Sequence, residues 1–304
     1  MFALELKNLQ KIYANGVEAL SGIDLSVKIG DFFALLGVNG AGKSTTIGLI
    51  STLLTKTAGD IFIHGYKIDH EPEFTKSFLG IVPQELNLNI FETCEEILLN
   101  QAGYYGILRK NAKNRAENLL VQLGLWAKRH TIARHLSGGM KRRLMIARAL
   151  IHQPKILILD EPTAGVDIEI RRSMWNFFTQ INNEGTTIIL TTHYLEEAEH
   201  LCKNVAIIHH GKIIKNTSIP ALLQTLNHQT LIFNTEATIV ELPNLDPFAA
   251  QVVDTHSFEL RLESRWLLND VFTIFTKQGL KINSMRNKTN RLEELFLELI
   301  NHGH

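Results

Sequence analysis

Phe32-Phe33-Ala34-Leu35-Leu36-Gly37-Val38-Asn39-Gly40-Ala41-Gly42-Lys43-Ser44-Thr45 is the stretch that decides how this chain folds. Phe32 to Leu36 is apolar without a break, as a strand buried on both faces of a parallel sheet should be. Residues 37–45 fit G-x-x-x-x-G-K-[ST], and a helical stretch, Ser44 to Leu54, leads out. Glycines let the backbone curl so that successive N–H groups point inward at the positive end of the helix, which suits phosphate oxygens. Lys43 can then reach the β- and γ-phosphates of a nucleotide, and the Ser44 hydroxyl can ligate Mg²⁺. Gly37, Asn39, Gly40, Ala41, Gly42, Lys43, Ser44 and Thr45 are the candidate phosphate-binding residues.

Outward from that loop the same buried-strand pattern recurs. Ile156 to Leu159, Thr187 to Leu190 and Val205 to Ile208 are short apolar runs separated by helical stretches, which predicts a layered α/β domain. The first thirty residues differ. Ile23, Leu25, Val27 and Ile29 alternate with Asp24, Ser26 and Lys28, as in a half-buried antiparallel strand. From about 85 to 150 helical periods such as Leu144, Ala147 and Ile151 dominate, predicting a helical insertion. A boundary is expected near Ser218-Ile219-Pro220, dividing residues 1–219 from a small α+β domain at 220–304. There Phe258, Leu260 and Leu262 alternate, and Leu292, Leu295, Phe296, Leu299 and Ile300 share one helical face behind Asn290 and Glu293, spaced as a capping box.

Composition narrows the function classes. The chain has 304 residues, 45% hydrophobic and 20% charged, enough to bury a sizeable core. Lys plus Arg and Asp plus Glu both number 31, so no net field draws it to nucleic acid or anionic lipid. Cys94 and Cys202 lie far apart, which argues against a disulfide framework or cysteine zinc site and fits a reducing compartment. The thirteen histidines form no H-E-x-x-H pattern, and His209-His210 reads as a turn. The N-terminus does not read as a signal peptide, and no apolar run is long enough to span a membrane.

Two further stretches complete a candidate site. Lys155-Ile156-Leu157-Ile158-Leu159-Asp160-Glu161 is a buried strand ending in two carboxylates. Asp160 can hold Mg²⁺ through water, and Glu161 can polarise an attacking water as general base. Leu136-Ser137-Gly138-Gly139-Met140 opens a helix with Lys141, Arg142 and Arg143 in its first turn. Ser-Gly-Gly at a helix start can form an anion-binding nest, and cations clustered there suit a site that receives negative charge.

With Gln84 at a strand end, Leu159 to Asp167 (LDEPTAGVD) and Thr192-His193, these stretches resemble the ATP-binding subunit of an ABC transporter, in order and spacing. The likeness covers about residues 3–220 and implies a P-loop NTPase core of ABC type with an antiparallel β subdomain and a helical insertion. Closer still, NQAGYYG (100–106), LSGGMKRRLMIARAL (136–150), EPTAGVDIEIRRSMW (161–175), TTHYLEEAE (191–199) and SMRNKTNRLEELF (284–296) are similar to YadG-like ATPases, whose export systems keep ATPase and permease on separate chains. Met140 and Val38 replace the commoner Gln and Pro, at positions where a side-chain change abolishes no phosphate-binding amide.

The resemblance implies roles for single residues. Tyr13 would stack on adenine. Gln84 would contact Mg²⁺ and the attacking water and relay their state to the helical insertion. His193 would contact the γ-phosphate, and Asp167 would reach a partner subunit. Ser137, Gly138 and Gly139 would bind ATP held by a second copy, since only one phosphate loop is present. The expectation is an ATPase that closes as a homodimer on ATP and Mg²⁺ and reopens after hydrolysis. It would sit on the cytoplasmic face of the plasma membrane through an integral-membrane permease, with no nucleic-acid partner. The permease would dock in a groove near Gln84, with Phe91, Tyr104 and Tyr105 either as contacts or as plain core aromatics of the insertion. The competing reading is a soluble ABC ATPase acting on ribosomes or DNA. Against it stand the balanced charge, the single phosphate loop and the absence of a long coiled-coil insertion or basic arm. Arg286, Lys288 and Arg291 read as a solvated basic face.

Overall fold

The computed structural model describes residues 1–226 and 228–301. Strands β1 (Phe2–Ile12) and β2 (Glu18–Lys28) pair antiparallel, with their alternate apolar residues buried. The apolar strand β3 (Phe32–Leu36) is buried throughout and delivers the phosphate loop to α1 (Lys43–Ile50). β4 (Ala58–Ile63) and β5 (Tyr66–Lys67) complete a four-stranded sheet in the order β2-β1-β4-β5. After α2 (Pro72–Ser77) and β6 (Leu79–Val82) come the helices expected between about 85 and 150, namely α3 (Cys94–Tyr104), α4 (Arg109–Gln122) and α5 (Gly138–Leu150). Thr93 and Glu96 form a capping box that starts α3.

The remaining buried runs become β7 (Ile156–Asp160), β8 (Thr187–Thr191) and β9 (Asn204–His209), with α6 (Ile168–Asn183) and α7 (Leu195–Leu201) between them. β10 (Lys212–Ser218) returns antiparallel beside β9, across the turn that holds His210 at φ 45°. The second sheet has the order β10-β9-β3-β8-β7-β6, parallel except for β10. The phosphate loop and the two carboxylates therefore leave the same end of one parallel sheet, from β3 and β7 with β8 between them. Ligands bind at that end of open α/β sheets. One core joins the two sheets, including Leu4, Leu25, Phe33, Ile61 and Ile158.

By contacts the chain divides into two compact units, Met1–Ser218 and Ile219–His304. The second begins with α8 (Ile219–Leu223) and continues through β11 (His228–Thr235), β12 (Ala249–Asp254), β13 (Ser257–Glu263), α9 (Leu268–Lys277), β14 (Ile282–Asn287) and α10 (Arg291–Asn301). Its strands are all antiparallel, in the order β12-β13-β11-β14, over a core of its own built on Phe233, Phe258 and Phe275. Asn290 Oδ1 accepts from the N–H groups of Leu292 and Glu293 at the start of α10. Among the described residues no helix is long and apolar enough to cross a membrane.

Candidate nucleotide site

The glycines of the phosphate loop have different physical reasons to be glycine. A Cβ on Gly37 would stand 2.5 Å from the Ile208 carbonyl oxygen, and one on Gly42 would stand 2.8 Å from Leu20 Cδ2. Both are required by close approach of the loop to its neighbours. Gly42 also holds φ at +115° as the residue before α1, and Gly40 holds +79° in open space. Both lie in the left-handed region that favours glycine. Thr46 Oγ1 donates to the Gly42 carbonyl at 2.8 Å, and Gly211 N–H donates to the Ala41 carbonyl at 2.9 Å, which ties the loop's C-terminal end to the turn after β9.

Lys43 is buried and curls back over this loop, its Nζ donating to the Gly37 carbonyl at 2.7 Å and the Val38 carbonyl at 3.2 Å. Burial pushes its pKa down, and the charges of Glu161 and Asp160 oppose that shift. The two carboxylates, sequence-distant from Lys43, thus act on it electrostatically. Ser44 is exposed at the loop's mouth. Tyr13 lies beside the same loop, its hydroxyl 3.2 Å from Thr45 Oγ1, with Lys11 Nζ over its ring at 5.1 Å.

Asp160 and Glu161 are both buried. Asp160 Oδ1 accepts from the Thr191 hydroxyl on the neighbouring strand. Glu161 leaves the strand with φ at +52°, an uncommon conformation for a residue with a Cβ, and its N–H donates to the Thr191 carbonyl at 2.9 Å. The turn presents its carboxylate to His193, whose Nδ1–H donates to Glu161 Oε2. The His193 side chain is 54% exposed against 8% for Glu161, so the pair runs from the interior to the surface of the site.

Ser137 caps α5, its Oγ accepting from Met140 N–H at 3.3 Å. Gly138 and Gly139 form the first turn, and neither has a positive φ. A Cβ on Gly138 would meet nothing within 4 Å, and one on Gly139 only Ile170, at 3.4 Å. Asp167 caps α6, its Oδ1 accepting from Ile170 N–H at 2.9 Å. Among the described residues no hydrogen bond or ion pair joins Ser137, Gly138, Gly139 or Asp167 to the cluster of Lys43, Asp160, Glu161 and His193.

The structure corrects one expectation about the signature's cations. Arg142 is not part of a cationic turn open to an anion. It is buried, and its guanidinium donates to the carbonyls of Pro83 and Gln84, both at 2.6 Å. Arg143 Nη1 donates to the Leu123 carbonyl at 2.8 Å. Loop and helix-end carbonyls, which helices and strands leave unpaired, take up these two cations. Gln84 itself is exposed. Phe91 and Tyr104 are 73% and 87% exposed, which excludes the reading of both as core aromatics, while Tyr105 stacks on His152 at 3.7 Å. Tyr104 lines an open groove of about 750 Å³ with Asn87, Asn89, Ile107, Arg109 and Arg148.

Sequence reading missed one buried group beside the site. Glu197 on α7 is fully buried, and its Oε1 accepts from Thr163 Oγ1 and Trp175 Nε1, each at 3.0 Å. Burial pushes its carboxyl above the ordinary value, against hydrogen bonds from Thr192, Trp175 and Thr163. It ties the turn after Glu161 to the segment that carries His193. Its only signal in the sequence was an acidic residue within a helical run, which ordinarily faces solvent.

Residues 20–164 match the family model described as ABC transporter. The chain is 36% identical over 308 residues to the linearmycin resistance ATP-binding protein LnrL of Bacillus subtilis (strain 168), covering 97% of each. It is 36% identical over 229 residues to the daunorubicin/doxorubicin resistance ATP-binding protein DrrA of Streptomyces peucetius, covering 75% of this chain and 69% of that protein. A solved dimeric post-hydrolysis state of an ATP-binding cassette, bound to ADP and Pi, superposes with a TM-score of 0.65 at 27% identity, over 71% of this chain and 98% of that one. With its phosphate loop, paired carboxylates and helix-capping Ser-Gly-Gly in the P-loop α/β core, the chain belongs to the ABC transporter family, as an ATP-binding and ATP-hydrolysing subunit.

Proposed function

We propose that two copies of this chain close on ATP, each nucleotide held between the phosphate loop of one copy and Ser137, Gly138 and Gly139 of the other. The observation that carries this reading is the open space over Gly138, beside Gly139, where an added Cβ would make only an ordinary contact with Ile170 at 3.4 Å. Neither the backbone nor the packing of a single chain needs glycine there, and glycine weakens a helix relative to alanine by roughly 0.5–1 kcal/mol in its interior. A site kept bare at a helix N-terminus is open to an anion brought from outside. Asp167, on the neighbouring α6 start, would meet the partner in the same closure.

Within one copy, Lys43 would neutralise charge on the β- and γ-phosphates, and the loop amides from Gly37 to Thr45 would cradle them. Tyr13 would stack on adenine from its position beside Thr45. The donor set also fits Mg²⁺, a hard cation that takes oxygen ligands: an exposed Ser44 hydroxyl, the Asp160 carboxylate with one oxygen engaged by Thr191, and the Gln84 amide. Bound there, the ion would supply charge neutralisation at the phosphates. Glu161, with His193 against its Oε2, would orient and polarise the attacking water. His193 would then contact the γ-phosphate with the exposed part of its ring.

The permease would seat a cytoplasmic helix in the groove lined by Tyr104 and Arg148, which keeps the ATPase at the inner face of the plasma membrane. LnrL and DrrA are named for resistance to antibiotics, which supports outward transport. Kinship with YadG-like ATPases in particular rests on residues 100–106, 136–150, 161–175, 191–199 and 284–296. We assign residues 1–219 to the ATPase and 220–304 to an accessory domain.

The experiment is light scattering on Glu161→Gln. The substitution keeps the side chain's shape and removes the base, so ATP with Mg²⁺ is expected to bind, hydrolysis to fall by about a hundredfold or more, and dimers to accumulate. Only monomers under those conditions would overturn the sandwich.

A further inference from the structure

The loop that carries Gln84 is attached to the rest of the chain in an unusual way. Residues 83–88 have no regular structure, and among the described residues no main-chain to main-chain hydrogen bond outside the strand ladder holds Gln84 to Asn87. Two arginines of α5 hold it instead. Arg142 Nη1 and Nη2 donate to the carbonyls of Pro83 and Gln84, both at 2.6 Å. Six residues further along the helix, Arg148 Nη1 donates to the Asn87 carbonyl at 3.0 Å and Nη2 to Asn87 Oδ1 at 2.5 Å.

These bonds have the geometry of a rigid link. A guanidinium is a planar fork, so two donors on neighbouring acceptors fix orientation as well as distance. Arg142 is 6% exposed, and a cation that deep is costly to leave unpaired, which keeps the loop carbonyls bound to it. The charges of Asp160 and Glu161 act on the same guanidinium. The helix that supplies both arginines begins at Ser137, Gly138 and Gly139, while Asn87 and Arg148 line the groove. One element therefore joins the groove, the Gln84 loop and the signature.

We infer that Arg142 and Arg148 are positioning residues, a two-point clamp that makes the Gln84 loop and the start of α5 move as one body. Displacement of the loop from the groove side then shifts Ser137 to Gly139 by the same motion. The inference rests on the proposed function for its consequence in turnover, while the clamp itself needs no nucleotide.

The test uses the full chain with Arg142→Met, Arg148→Met and the conservative Arg142→Lys, read by amide hydrogen exchange and by steady-state ATP hydrolysis. Arg142→Met is expected to speed exchange about tenfold at residues 84–89, to lower kcat about tenfold, and to change KM for ATP less than threefold. Arg142→Lys, which keeps the charge and one donor direction, is expected to recover part of both effects. Arg148 is only half-buried, so Arg148→Met keeps its fold even if loss of the deeper arginine does not. It is expected to speed exchange at the same amides. Unchanged exchange at 84–89 in both methionine variants would overturn the clamp. Faster exchange with kcat within twofold of wild type would overturn its part in turnover. A wild-type chain with no ATP hydrolysis would count against the ATPase reading alone, since exchange reads the clamp without ATP.

Discussion

Glycine serves two different purposes in this chain, and single substitutions separate them. At Gly42 an added Cβ meets Leu20 Cδ2 at 2.8 Å and the Ala19 carbonyl oxygen at 3.0 Å, with φ already at +115°. Gly42→Ala is therefore expected to destabilise the fold by about 2 kcal/mol or more, seen as a lower denaturation midpoint without nucleotide. A midpoint equal to wild type would mean that the loop relaxes freely. Glu197 offers a second residue-scale prediction, in which the sign follows from its environment. Burial raises its carboxyl pKa in the folded chain, so the stability linked to its proton is present below the ordinary carboxylate value and lost as pH rises through the raised one. Glu197→Gln mimics the protonated form and keeps an oxygen for Thr163 and Trp175. Its stability relative to wild type is expected to grow as pH rises above the ordinary carboxylate value and to level off once the raised one is passed, in chemical denaturation. Parallel pH curves for the two proteins would refute it.

Among the elements, α5 links the most parts of the site. Ser137 caps it, Gly138 and Gly139 leave its first turn bare, and Arg142 and Arg148 leave its body for the Gln84 loop. Because a Cβ on Gly138 meets nothing, Gly138→Ala is expected to leave the denaturation midpoint equal to wild type or slightly higher. ATP hydrolysis should nevertheless fall about tenfold or more, since in the proposed sandwich the methyl group would enter the space given to the partner's phosphate. Stability and activity then move in opposite directions, the reverse of a packing defect. Equal hydrolysis in the variant would remove the main support for the nucleotide sandwich. The position of Ser-Gly-Gly at a helix start was legible from the sequence, because capping depends on residues three apart. The inward turn of Arg142 was not, since its acceptors lie 58 and 59 residues away.

At the level of the whole molecule, among the described residues, the core that joins the first unit's two sheets shares no residue with the core of the second unit. The second unit is built around Phe233, Phe258 and Phe275, with ring centroids 4.9 to 5.5 Å apart. Phe258→Ala empties the centre of that cluster and is expected to destabilise it by about 3–5 kcal/mol. Calorimetry should show an early transition for the variant while ATP affinity stays within twofold of wild type. A loss of ATP affinity in step with that transition would show instead that the nucleotide site depends on the second unit.

The parallel sheet, the phosphate loop, the terminal carboxylates of β7 and the capped glycines of α5 were all determined by the sequence alone. Each rests on neighbours: an unbroken apolar run, a fixed glycine spacing, a cap three residues from the N–H that donates to it. The pairing of His193 with Glu161 spans 32 residues, and the hydrogen bond from Thr163 to Glu197 spans 34. Exposure of Phe91 and Tyr104, and burial of Glu197 and Arg142, were likewise decided by tertiary structure. Periodicity says which face of a helix is apolar, but a buried charge is chosen by the unpaired carbonyls and hydroxyls that surround it. Only the folded chain brings those groups together.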